Sequence, residues 1–233
     1  MTRHFWLNSS RILFALICLL GAGLLAGRFP VVGQNPVPSA DTVKKANARP
    51  VASPTPKAEP FDGATVEKMS GQCVTLETEQ GNIVIEILPA KAPESARGFL
   101  NMAATGALDT TSFTRVVRGF VIQGGNLSTS EKWSQELANR MARHLPDEPS
   151  DLKHERGVVS MARTDEPGSA TTHFFILVGD GPNLDGKFSA FGRVNRGMEV
   201  VDAINRAPSE NEKPEVPVRI THATVSACAK IEP

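Results

Sequence analysis

Phe113-Thr114-Arg115-Val116-Val117-Arg118-Gly119-Phe120-Val121-Ile122-Gln123-Gly124-Gly125-Asn126 is the stretch on which the fold of this chain turns. It reads as two short apolar strands joined at a Gly-Phe corner, the second ending in Gln-Gly-Gly. Side chains alternate faces along a strand, so Arg115 shares a face with Phe113 and Val117. A charge among apolar neighbours is a local conflict of the kind that concentrates at functional sites. Taken alone, it also fits a salt-bridged arginine on the surface.

Working outward, the pattern stays mainly β. Cys73 to Glu79 and Ile83 to Leu88 read as strands joined at Gln80-Gly81-Asn82, and Ile83, Ile85 and Ile87 fall on one face. Pro93 to Thr105 reads as a helix, with proline in its first turn, Ala96, Phe99, Leu100 and Ala103 at helical spacing, and Gly106 as its stop. Further strands are expected at Val158–Ala162, Phe174–Val178, Ala190–Val194 and Val218–Ala227. A second helix is expected through Met198, Val201 and Ile204. Many strands with two helices make an α+β class; the periodicity alone does not specify a barrel. The charged segment from Leu127 to Arg156 reads as a solvated loop with one short helix around Glu136 to Arg143.

The 233 residues suggest one domain plus extra segments, and a composition 40% hydrophobic and 21% charged is that of a globular protein. Lys+Arg and Asp+Glu both number 25, so the chain carries no electrostatic footprint for nucleic acid and no polybasic drive toward an anionic membrane. The N-terminus has the form of a targeting segment. Arg3, His4 and Arg11 precede an apolar run from Ile12 to Ala26, closed by Gly27-Arg28. Residues 1–32 are therefore read as a signal peptide or a membrane anchor, with a tether through residues 12–27. Residues 33–65 are read as a Pro-rich flexible linker, too poor in large apolar side chains to offset its ordering entropy. Residues 66–233 form the candidate domain, and nothing in them demands a dimer, so a monomer is expected.

Other chemistries are poorly represented. No two Cys or His residues show metal-ligand spacing, and His144 and His154 read as solvated. Gly179-Asp180-Gly181 lacks the Lys-Ser/Thr ending of a phosphate loop, and there is no Gly-x-Ser-x-Gly elbow. No metal and no cofactor is expected.

The opening stretch resembles the signature strand pair of the cyclophilins, the peptidyl-prolyl cis-trans isomerases. Two more blocks agree in order and spacing. One is Gly157-Val158-Val159-Ser160-Met161-Ala162-Arg163 with Ser169-Ala170-Thr171-Thr172-His173-Phe174-Phe175-Ile176. The other is Asn183-Leu184-Asp185-Gly186-Lys187-Phe188 with Ala190-Phe191-Gly192-Arg193-Val194 and Gly197-Met198. The resemblance runs from about Cys73 to Cys228. Met-Ala-Arg-Thr with Ser-Ala-Thr looks most like bacterial cyclophilins, including exported ones. The family implies a closed eight-stranded antiparallel β-barrel capped by two helices.

It also implies a reaction that breaks no bond. Rotation about X-Pro destroys amide resonance, over a barrier of roughly 20 kcal/mol. Catalysis needs an apolar pocket for the proline ring and a donor for the lone pair that the prolyl nitrogen regains when twisted. By resemblance, Arg115 is the catalytic arginine and Gln123 bonds substrate backbone. Phe120, Val121, Phe175 and Leu184 wall the pocket, while Ala162 and Arg163 offer backbone contacts. His173 and Phe188 complete the binding set, each differing from the commonest family residue: His173 replaces glutamine and Phe188 replaces histidine. Asn183 replaces a tryptophan common in eukaryotic members, and Arg163 replaces an asparagine. The family fold makes the first and last strands neighbours, so Cys73 and Cys228 either pair in an oxidising compartment or remain two independent thiols. The partners implied are proline-containing unfolded or nascent polypeptides. A non-catalytic proline-peptide-binding or chaperone module would use the same pocket without turnover.

Overall fold

The computed structural model describes residues 58–229. The readings for residues 1–32, and for the linker as far as residue 57, lie outside that span. Eight strands form one antiparallel sheet: β1 (Gln72–Thr78), β2 (Gly81–Ile87), β3 (Arg115–Val117), β4 (Val121–Gly124), β5 (Val158–Met161), β6 (Phe174–Leu177), β7 (Ala190–Arg196) and, last in the chain, β10 (Ile220–Ala227). Their order across the sheet is β10-β1-β2-β7-β5-β6-β4-β3. A separate two-stranded hairpin, β8 (Ser209–Glu210) with β9 (Lys213–Pro214), lies between β7 and β10 in sequence.

The concave core follows from alternation. Ile83, Ile85 and Ile87 of β2 are buried, as are Val74 and Leu76 of β1. Helix α2 (Pro93–Ala104) packs its Ala96, Phe99, Leu100 and Ala103 stripe into this core, after the short helix α1 (Val66–Met69). The Phe99 ring meets Phe174 edge-on at 5.0 Å and Phe191 at 4.9 Å, the spacing that aromatic pairs prefer. Gly106, at φ 70°, ends α2: its N–H donates to the Ala103 carbonyl, and Ala107 N–H to that of Met102. Helix α3 (Gln135–Met141), capped by Ser134, is the short helix of the charged segment, and Trp133 just before it is exposed. Helix α4 (Met198–Arg206) buries Val200, Val201 and Ile204. Among the described residues no helix is long and apolar enough to cross a membrane.

The sheet curls strongly but does not close, which corrects the closed barrel that the resemblance implies. Its edge strands β3 and β10 share no ladder. They meet only where Ser112 bridges Arg219, where Phe113 N–H donates to the Val218 carbonyl, and where Ile220 N–H donates to the Thr111 carbonyl. The reason is local. Strand β3 is three residues long, and on it Val116 N–H donates to the carbonyl of Glu212, in the β8–β9 turn. The hairpin, not β10, covers the edge that an open sheet would leave bare.

Residues just before α1 pack on the domain. Phe61 N–H donates to Asn101 Oδ1 of α2, and Glu59 pairs with Arg140 at 2.6 Å and Arg143 at 3.2 Å. Cys73 is the second residue of β1, and Cys228 directly follows β10. Their sulfurs are bonded, with Cα atoms 4.9 Å apart across a sequence separation of 155. Cross-linking so long a loop restricts the unfolded chain strongly. Cys228→Ser is therefore expected to cost roughly 2–4 kcal/mol of stability. Urea unfolding with and without reductant checks this: reductant should lower the wild-type midpoint and leave the variant's unchanged. Equal midpoints in all four curves would contradict it.

Candidate active site

The β3–β4 corner is held from behind. Phe120 N–H donates to the Val117 carbonyl across a turn whose Gly119 has φ 72°, where a side chain would be strained. Asn205 of α4, buried, fastens that turn: its Oδ1 accepts from Gly119 N–H, and its Nδ2 donates to the carbonyls of Val117 and Val121. Three backbone groups at one corner are thereby satisfied by one amide.

Register then sorts the residues. Across four adjacent strands, Arg115 stands opposite Gln123, Gln123 opposite Phe175, and Phe175 opposite Ser160. One residue along, Val116, Ile122, Ile176 and Val159 form the matching row, and all four are buried in the main core. Because neighbours in a strand point to opposite faces, the first row must face outward. A second apolar cluster builds on that outer face: Val121, Val158, Phe175, Leu177 and Ala190, with Phe120, Ala162, Leu184 and Phe188 packed against it.

The outer cluster surrounds a pocket of about 140 Å³. Arg115 and Gln123 line its polar side, and Phe120, Val121 and Phe175 line it from the sheet. Ala162, Arg163, Leu184 and Phe188 come from the loops after β5 and β6. Gly181 lets two walls meet, since a Cβ there would lie 3.1 Å from both Leu184 Cδ1 and Phe120 Cε2. Phe188 stands edge-on to Phe175 at 5.9 Å and carries the Arg163 guanidinium 4.9 Å above its ring. Arg163 spends its terminal nitrogens on the carbonyls of Thr164 and Lys187, so it shapes the rim.

Nine of the ten residues expected at the site thus line one pocket; His173 does not. It lies half-buried before β6, where its carbonyl accepts from Ala162 N–H at 2.8 Å. Burial pushes its imidazole below the ordinary histidine value, toward the neutral form.

Sequence reasoning missed the roles of three groups, His154, its partner Ser160, and Glu212. His154 is buried, not solvated: its ring stacks 6.5 Å from Phe175, Nδ1 lies 3.2 Å from Asp185 Oδ1, and Nε2 lies 3.3 Å from Ser160 Oγ. Polar neighbours disguised it; the Asp185 carboxylate, 31 residues on, receives both its ring and its backbone N–H. Ser160 has no exposed surface, so this Ser-His-Asp set packs against Phe175 instead of attacking a substrate. The third is Glu212, whose Oε2 accepts from Arg115 Nε at 2.7 Å. Gln123 Oε1 accepts from Arg115 Nη1 at 3.2 Å, and no described residue bonds Nη2.

Comparison with known proteins agrees with this geometry. The model of the cyclophilin-type peptidyl-prolyl cis-trans isomerase family matches residues 73–225. Peptidyl-prolyl cis-trans isomerase A of Dickeya dadantii is 40% identical over 146 residues, covering 60% of this chain and 75% of that one. An isomerase of Dictyostelium discoideum is 36% identical over 160 residues, 68% of this chain and all of its own. The crystal structure of a Cryptosporidium parvum cyclophilin-type isomerase, determined in the presence of the dipeptide Ala-Pro, superimposes with a TM-score of 0.59 at 28% identity, covering 67% of this chain and 99% of that one. The chain belongs to the cyclophilin-type peptidyl-prolyl isomerase family. Its described domain is an isomerase of that class.

The buried histidines give the fold a pH dependence. Desolvation lowers both His173 and His154; for His154 it outweighs the Asp185 carboxylate. The unfolded chain takes up protons near the ordinary value of about 6.5, and the folded chain only below it. Stability is therefore full above that value and is lost as pH falls through it toward the folded values. The urea midpoint is expected to drop between about pH 7.5 and pH 5.5, and to drop less in His173→Gln. An equal drop in the two proteins would contradict this.

Proposed function

We propose that this pocket catalyses rotation about X-Pro bonds of unfolded or nascent polypeptides outside the cytoplasm. The observation that carries the proposal is the juxtaposition of Arg115 and Gln123, directly opposed across β3 and β4, beside an apolar pocket. A proline ring entering among Phe120, Phe175 and Leu184 leaves its amide at the polar side. The guanidinium is always charged and directs its donors from a rigid fork. With Nε and one Nη1 N–H engaged, Nη2, which bonds no described residue, offers its donors to the prolyl nitrogen as it becomes pyramidal. That lone pair is available only in the twisted amide, so the contact strengthens in the transition state and raises the rate without tightening ground-state binding. Gln123, already aligned by Arg115, offers its amide N–H groups to substrate backbone. No covalent intermediate is required.

Placement outside the cytoplasm rests on two features: the basic and apolar N-terminal pattern of residues 1–32, and the Cys73–Cys228 bond, which persists in oxidising compartments. There, X-Pro isomerisation over tens to hundreds of seconds limits folding of clients, and the enzyme would remove that delay. Fractionation of cells carrying the full chain should recover it outside the cytoplasm with both cysteines oxidised. Recovery in the cytoplasm with free thiols would contradict this part of the proposal.

The catalytic part is tested with the full chain and a short Ala-Pro peptide, following cis-trans exchange by NMR. Wild type should accelerate exchange, and Arg115→Ala should lose on the order of a hundredfold in rate with peptide affinity little changed. Exchange at the uncatalysed rate with retained binding would mark a proline-binding module instead.

A further inference from the structure

We infer that Glu212 is a positioning residue for Arg115, an inference that rests on the isomerase reading of the pocket. Asn211 and Glu212 form the two-residue turn of the β8–β9 hairpin, and both have positive φ, 49° and 65°. Such a turn suits hairpin twist but favours glycine or asparagine. Glutamate there is held in a conformation that side chains adopt reluctantly, and such positions mark functional constraint when the surroundings impose them.

Two contacts impose this one. The Glu212 carbonyl accepts from Val116 N–H at 2.8 Å, which docks the turn on the edge of β3. Its carboxylate then reaches Arg115 Nε at 2.7 Å, from a residue 97 positions away. Gln123 holds Nη1 from the neighbouring strand. With Nε fixed by Glu212 and Nη1 by Gln123, the planar guanidinium has its orientation set, and Nη2 is presented in one direction. Arg115 is about half-exposed. Without the carboxylate, one neutral hydrogen bond alone would orient a long side chain that has several rotamers open to it.

The consequence is a split between turnover and binding. Glu212 lines no part of the pocket, so peptide affinity does not depend on it. Glu212→Gly tests this well, because glycine relieves the positive φ and keeps the backbone contact to Val116. The full chain carrying Glu212→Gly should keep or exceed wild-type thermal stability and keep KM, yet lose about fivefold in kcat. Glu212→Gln keeps an acceptor for Nε and should stay closer to wild type. Asn211→Gly, in the same turn but without contact to Arg115, should turn over like wild type. In NMR spectra the Arg115 Nε–H signal should exchange faster with solvent in Glu212→Gly than in wild type. Wild-type kcat in Glu212→Gly would overturn the inference, and so would a loss of kcat that tracks a loss of stability. Wild type and Arg115→Ala are measured alongside: an inactive wild type refutes the isomerase reading, whereas an active wild type with an indifferent Glu212→Gly refutes only the role of Glu212.

Discussion

Everything at this site depends on the register of four short strands. Alternation gives β3, β4, β6 and β5 one row for the interior, Val116, Ile122, Ile176 and Val159, and one for the outer face, Arg115, Gln123, Phe175 and Ser160. The interior row is fully or almost fully buried. A slip of one residue in any ladder would exchange the faces and bury the arginine among isoleucines and valines. The energy that locks the register is thus the burial of the apolar row, worth about 1.5–3 kcal/mol for each large side chain. On the outer row, Arg115 and Gln123 add little such burial, whereas Phe175 is itself buried in the second cluster.

The same economy of short strands leaves the sheet open. Strand β3 is too short to form a ladder with β10, so a separate hairpin covers its edge, and that hairpin brings a carboxylate to the arginine. At the other edge, the Cys73–Cys228 bond fastens β10 to β1, beside the ladder in which Cys73 stands opposite Ser226. Beneath the pocket, Asn205 from α4 and the His154–Asp185 pair satisfy polar groups that the curled sheet has buried. The pocket walls therefore rest on hydrogen bonds made by residues that do not line the pocket themselves.

Much of this was legible in the sequence, for physical reasons that differ from element to element. Ile83, Ile85 and Ile87, and the Ala96–Phe99–Leu100–Ala103 stripe, declare a strand and a helix through periodicity alone. Arg115 declares itself as a charge on an apolar strand, and the resemblance to cyclophilins supplies its role. What was illegible depends on contacts between distant segments. His154 sits among charged residues, and its burial is decided by Asp185. Glu212 lies in a turn with no glycine to advertise it, and its partner is on another sheet. The open edge depends on whether β3 reaches β10, which no local pattern encodes. His173, two residues before the outward-facing Phe175, is nonetheless not among the residues that line the pocket, which the sequence pattern does not foretell.

The central claim is that the outward row and its loops form one proline-peptide site. The direct measurement is a backbone and side-chain NMR titration of the full chain with an Ala-Pro peptide. The account predicts shifts concentrated at Arg115, Gln123, Phe175, Ala162, Leu184 and Phe188, with their signals averaged between cis-bound and trans-bound forms as turnover proceeds. Shifts centred instead on the separate cavity lined by Arg97, Arg140 and Arg143, beside α2, with the row unmoved, would contradict it.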